Sequence, residues 1–225
     1  DLLERAALPA GAVPPGTDLG PLTEKAADDL GLSTACRVGA GLVDAYAGGL
    51  ALLGPHGRSP RELERRAALI AGTSSCLMIL TREPVAFAGS WGPCLGVALP
   101  DLWASEGGQS ASGALLDHVV RLHGAGGEPT GELIARIIHR IGELRARDGV
   151  AFAERLHVLP DFHGNRSPLA DPRALGVVSG LDVDASFDGL CALYWRTAVA
   201  LALGLPHGLD AIRDAERVID VLHLT

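Results

Sequence analysis

Residues 67–81 read AALIAGTSSCLMILT. Two apolar runs, Ala67–Ala71 and Cys76–Thr81, flank the small residues Gly72-Thr73-Ser74-Ser75. Short apolar runs on either side of a small-residue turn predict a β-hairpin. A hydroxyl-rich turn can present backbone N–H groups and hydroxyls to phosphate oxygens, although most such turns are only turns. Downstream, Val85–Ala88 predicts a further strand. Upstream, Glu62–Ala68 predicts a short polar helix or connection, and PHGRSP (55–60) breaks the pattern as a linker or domain boundary.

The rest of the chain alternates helix and strand signals. Thr23 before Glu24 suits a helix start. ACRVGAGLVDAYAGGLALLG (35–54) predicts a buried strand ending near Val43 and a following helix. Leu115, Val119 and Leu122 recur at helical spacing. Leu133, Ile134, Ile137, Ile138, Ile141 and Leu144 form one apolar stripe opposite Arg136, Arg140 and Glu143, which predicts a core-facing helix over 131–145. Leu156–Leu159 predicts a short strand, Asp188–Leu203 a buried helix, and 209–222 a final amphipathic helix. Residues 8–21 are rich in Gly and Pro and read as loop. Strands and helices mix without strict alternation, which predicts an α/β domain with some antiparallel strands.

Composition narrows the function classes. A chain of 225 residues suits one or two domains. Apolar residues make up 48% and charged residues 20%, which excludes a disordered acidic tail. The formal charge is -8, and Lys25 is the single lysine, so nucleic acid is a poor partner. Cys36, Cys76, Cys94 and Cys191 are scattered with no CxxC pair, which points away from a metal site and from a disulfide scaffold. The chain starts with no apolar signal stretch, and its longest apolar run, Leu190 to Leu205, is broken by Arg196 and too short to span a bilayer. A soluble, cytoplasmic protein is the expectation. The sequence holds no GxxxxGK[ST] and no GxSxG, so neither a P-loop nor an acyl-transfer elbow is present within it.

Four stretches set polar groups among small residues, where a backbone can approach a ligand closely. Asp44 lies inside GAGLVDAYAGG (39–49), either as a helix N-cap or as a carboxylate placed to accept a proton from a hydroxyl. Gly72, Thr73 and Ser74 form the second. In SEGGQS (105–110), Glu106 and Gln109 could hydrogen-bond a polyhydroxylated ligand, or the stretch is a helix-entry loop with a solvated acid. In PDFHGNRSP (160–168), His163 and Arg166 could contact an anion, but a loop stapled by Arg166 to a neighbouring acid is the stronger expectation.

Taken together, VGAGLVDAYAGG (38–49), AGTSSCLM (71–78), WGPC (91–94), LWASEGGQSASGALLDH (102–118) and LHVLPDFHGNRSPLADP (156–172) resemble the FGGY carbohydrate kinases, above all their D-ribulokinase-like branch. The resemblance implies an α/β, actin-like ATPase (ribonuclease-H-like) fold of two domains with ATP and sugar meeting between them. It implies Asp44 as catalytic base and sugar contact, Glu106 as a sugar-contacting acid, and Gly72, Thr73 and Ser74 as the phosphate-contacting turn. ATP and Mg²⁺ are the implied cofactors, and ATP-dependent phosphorylation of a ketopentose or related pentitol the implied reaction. Tyr46 departs from relatives that often carry His there. The family's opening strand with its Gly-Thr turn and its closing GGG-type loop have no counterpart in this sequence. The chain therefore reads as an internal segment of a longer kinase: 1–55 the end of the first, sugar-binding domain, and 60–225 most of the second, nucleotide-side domain. Residues 1–50 are expected to expose apolar edges and to associate, as in a homo-oligomer, or to be disordered. Two alternatives stay open: a non-catalytic sugar-binding or regulatory module, and a kinase for xylulose or glycerol, against which the EGGQ stretch argues.

Overall fold

The computed structural model describes residues 11–57 and 59–225. The start of the chain, with Leu8, Pro9 and Ala10 of the predicted loop, and Arg58 of the predicted linker lie outside them. The centre of the molecule is a mixed five-stranded sheet in the order β5-β6-β4-β3-β9. Its strands are β3 (Arg66–Ala71), β4 (Ser75–Thr81), β5 (Trp91–Leu95), β6 (Trp103–Gln109) and β9 (Val221–Leu224). The predicted hairpin is its core: β3 and β4 pair antiparallel, with Ala71 opposite Ser75 and Ala67 opposite Ile79. Strand β4 is central and buried throughout, which suits its unbroken apolar run. Only β9 runs parallel to its neighbour, β3.

Helix α2 (Asp44–Leu53) covers one face of the sheet. Leu53 packs there with Leu63, Ala68, Met78, Leu80, Leu102 and Ala104. Gly49 makes this approach possible, because a Cβ there would lie 2.4 Å from Met78 Sδ. The opposite face of the sheet packs Ala67, Leu77 and Ile79 against Val85, Phe87, Ala211 and Ile212. Beside the sheet stands a helical layer of α4 (Gly113–Leu122), α5 (Gly131–Asp148) and α6 (Phe187–Asp214). Val120, Ile137, Ile141, Leu144, Leu190, Cys191 and Tyr194 form its core. Thr130 and Ser186 cap α5 and α6 by accepting from the N–H groups of Leu133 and Gly189. The remaining elements are β1 (Asp18–Pro21), α1 (Glu24–Leu30), β2 (Arg37–Gly39), α3 (Pro60–Leu63), β7 (His157–Leu159) and β8 (Val177–Ser179). Strands β1 and β2 pair with each other, as do β7 and β8. Thr23 caps α1 as expected, accepting from Ala26 N–H at 3.2 Å.

Several expectations are corrected. The strand before Asp44 ends at Gly39 and is exposed, because Gly39 and Gly41 interrupt the run before Val43. Val85–Ala88 is not a strand; Val85 and Phe87 are buried as loop residues under the sheet. The EGGQ stretch is strand β6, not a helix-entry loop, since it pairs with β4 on one side and β5 on the other. The two helices expected over 188–203 and 209–222 are one 28-residue helix that runs through Pro206 and stops at Asp214. Pro206 removes one backbone donor inside α6, and the helix survives because its first half is packed by α5 and its last turns by the sheet. Residues 221–224 then enter the sheet as β9. Helix α6 is thus long and apolar enough to cross a membrane, unlike the run read from sequence, yet it packs against α4, α5, β6 and β7. On α5, Ile138 falls outside the buried stripe and is exposed.

Candidate active site

The candidate residues gather at one end of the sheet. Val43, not Asp44, is the N-cap of α2, and it makes no side-chain capping bond. Asp44 is instead the first helical residue, exposed, with Oδ1 accepting from Ala45 N–H at 2.7 Å. An acid in the first turn matches the positive end of the helix dipole. Gly48, one turn further on, faces Ile70 on β3, so Asp44 lies toward the β3–β4 turn.

That turn is Gly72-Thr73-Ser74, and all three residues are exposed. Its carbonyls do a second job. Gly72 C=O accepts from Gly113 N–H at 3.0 Å, and Thr73 C=O accepts from the N–H groups of Ser112 and Ala114 at 2.9 and 3.1 Å. The turn therefore satisfies the open donors at the start of α4, while its hydroxyl-bearing side chains remain on the surface. Alongside, Ser75 Oγ donates to Gln109 Oε1 and accepts from Gln109 N–H, and Gln109 Nε2 donates to Leu201 C=O in α6.

Glu106 projects from β6 on the side of Ala104, toward α2. It is buried, not solvated. Its Oε2 accepts from the Cys76 thiol at 3.1 Å, and its Oε1 accepts from Arg166 Nη2. This is the staple expected of the 160–172 loop, and its acid is Glu106. The Arg166 guanidinium also lies 5.2 Å from the centre of the Trp91 ring. Burial, then the hydrogen bond to Glu106 and its charge, pushes the Cys76 thiol up to about 12. Asp44 adds to that shift, so both candidate carboxylates act on one thiol. Burial and then the Glu106 charge push the Tyr46 phenol up to about 12. Cys76 and Tyr46 thus stay neutral at physiological pH, and Glu106 is held by one neutral donor, the Cys76 thiol, and one cation, Arg166.

Loop 160–172 is braced internally and seated on the sheet. Asn165 Nδ2 donates to Asp161 Oδ1, and Asn165 Oδ1 accepts from Leu169 N–H, each at 3.0 Å. His163 does not join the Glu106 cluster; with Trp91, Ser110 and Arg166 it lines a depression of about 410 Å³ on the outer side. A larger cavity of about 680 Å³, between the end of α4 and residues 180–185, contains none of the candidate residues. Among the described residues, no group of three or more His, Cys, Asp or Glu side chains is gathered to hold a metal ion. Sequence reasoning named Asp44, Glu106 and the 72–74 turn as candidates but did not name Tyr46, Cys76 and Trp91 as their neighbours. Strand alternation would have put Cys76 and Met78 on one face, but no local signal gives the register that sets Cys76 beside Glu106.

The model of the FGGY family of carbohydrate kinases, C-terminal domain, matches residues 67–225. The chain is 44% identical to an FGGY carbohydrate kinase domain-containing protein of Danio rerio, over 93% of this chain and 42% of that protein. It is 35% identical to a D-ribulokinase of Saccharomyces cerevisiae, over 80% of this chain and 28% of the relative. The structure of a xylulose kinase from Rhodospirillum rubrum superposes on 96% of this chain and 40% of that one, with a TM-score of 0.59 and 26% identity. The chain thus spans well under half the length of the relatives it matches. The mixed sheet with its flanking helices is part of the actin-like ATPase fold of these kinases. On this evidence the chain belongs to the FGGY family of carbohydrate kinases.

Proposed function

We propose that the full-length protein phosphorylates a ketopentose or related pentitol at the expense of ATP, with Asp44 as general base. The observation that supports this most is the placement of exposed Asp44, at the start of α2, over the face of the sheet that carries buried Glu106, beside an exposed Gly-Thr-Ser turn. In this reading Glu106 accepts hydrogen bonds from sugar hydroxyls. Asp44 takes the proton from the hydroxyl whose oxygen bonds to the terminal phosphorus of ATP, and ADP leaves. The hydroxyls of Thr73 and Ser74 and the backbone of Gly72 meet the nucleotide's phosphates. Mg²⁺ accompanies the nucleotide and offsets the charge of its phosphates.

The 35% identity to a D-ribulokinase supports a pentulose as substrate. Residues 1–55 are assigned to the end of the sugar-binding domain and 60–225 to most of the nucleotide-side domain. Cytoplasmic location belongs to the same reading. Phosphoryl transfer needs alignment of groups from both domains, so the 225-residue chain alone is expected to show no turnover.

The test is an ATP-coupled assay of the full-length protein on D-ribulose, L-ribulose, D-xylulose, glycerol and the matching pentitols. Asp44→Asn is expected to lower kcat by about 10²–10⁴. Full turnover by that variant would remove the base assignment. Sugar binding by the full-length protein without any ATP consumption would favour a non-catalytic module instead.

A further inference from the structure

We propose that Arg166 is a positioning residue for sugar recognition, fixing the direction in which Glu106 offers its carboxylate; this rests on the sugar-kinase reading above. The two side chains are little exposed, 20% for Arg166 and 10% for Glu106. The carboxylate is held from two sides: Arg166 Nη2 donates to Oε1, and the Cys76 thiol donates to Oε2. Each carboxylate oxygen can accept a second hydrogen bond. The pair of donors therefore leaves Glu106 with open acceptor positions in a set orientation, which suits a neutral polyhydroxylated ligand.

The guanidinium is itself fixed. Trp91 lies against it. The next residue anchors the backbone: Ser167 Oγ accepts from Gly108 N–H at 3.1 Å and donates to Gly89 C=O at 2.8 Å. The seat leaves no slack. A Cβ on Gly89 would lie 2.7 Å from Arg166 O, and one on Gly107 would lie 2.9 Å from Ser167 Oγ. Arg166 Nε is buried and has no hydrogen-bond partner. A pair arranged for stability alone would satisfy that donor, and a desolvated ion pair contributes little net stability in any case. Orientation of Glu106 accounts for the arrangement better than folding energy does.

The experiment uses the full-length protein, with D-ribulose binding followed by calorimetry without nucleotide and turnover followed with ATP. Arg166→Ala is expected to raise both Kd and KM for D-ribulose by about tenfold or more, leaving KM for ATP unchanged. Arg166→Lys, which keeps the charge but not the fork, should fall between. Millimolar guanidinium ion should recover part of the loss in Arg166→Ala and change nothing in the wild type, a response that a merely structural pin would not give. If wild type turns over D-ribulose, Asp44→Asn does not, and Arg166→Ala binds the sugar normally, the inference falls and the kinase reading stands. If wild type neither binds nor phosphorylates any pentulose, the reading falls and takes the inference with it. Should Arg166→Ala fail to fold, wild-type affinity in Arg166→Lys would be enough to overturn the proposal.

Discussion

The two faces of the sheet are built from the same strands and differ in kind. Along β4, Leu77 and Ile79 face Val85, Phe87 and Ile212, and the buried hydroxyls on that side, Thr81 and Ser105, are uncharged and donate to the backbone carbonyls of Glu83 and Val85. The alternate residues, Cys76, Met78 and Leu80, face α2. Near Leu53 and Leu80 this second face is equally apolar, but toward the β3–β4 turn it ends in Cys76, Glu106, Tyr46 and Asp44. One face holds the domain together. The other gives up part of its apolar area to a charged acid that needs Cys76 and Arg166 to remain buried. Polar groups at the end of an otherwise apolar face are the mark of a site carried on a rigid scaffold.

This difference can be broken by substitution. The largest expected effect is that of Asp44→Asn on kcat, given above, with unfolding free energy changed by no more than about 0.5 kcal/mol because Asp44 is exposed. A loss of stability well beyond that in this variant would mean that Asp44 supports the fold. On the other face, Ile79→Ala should destabilise by about 2–5 kcal/mol in denaturant unfolding, since Ile79 is fully buried among hydrocarbons. Its KM for sugar per folded molecule should not move. A shift in KM would show that the two faces are coupled.

A smaller effect concerns pH. The Cys76 thiol is raised in the fold from its ordinary 9.0 to about 12. The unfolded chain therefore releases this proton first. The stabilisation is complete below about pH 9, and it is lost as pH rises toward 12. Cys76→Ser should flatten the fall of stability between those values, as followed by denaturant midpoints. Some slope remains, because Tyr46 is also raised to about 12 and Cys191 to about 11. An unchanged slope would mean that the thiol is not held as described. Least of all, Arg213→Ala should change stability by under about 0.5 kcal/mol, because its pair with Asp210 is exposed and lies far along α6 from the site.

What the sequence made legible follows the range of the forces involved. The 67–81 hairpin was readable because its apolar runs and small turn are contiguous. The 131–145 helix was readable because its stripe is local; the structure extends it to Asp148. Strand β6 was not, since Glu, Gly and Gln are poor strand formers and only pairing on both sides makes them one. Helix α6 was read as two helices, 188–203 and 209–222, where packing carries a single helix through Pro206. Asp44, Glu106 and the 72–74 turn could be named from motifs. That Arg166 would reach across 60 residues to Glu106 could not, because a loop's landing place is decided by the sheet beneath it.

One further consequence lies in the contact between the β3–β4 turn and α4. Three backbone donors at the start of that helix end on two carbonyls of the turn, and Gly113 lies so close that a Cβ would come 2.8 Å from Gly72 O. Turn and helix thus behave as one lever. The same helix runs on to Leu122, which lines the cavity of about 680 Å³. The corner of the sheet that carries the hydroxyls is thereby tied through its backbone to the helical layer.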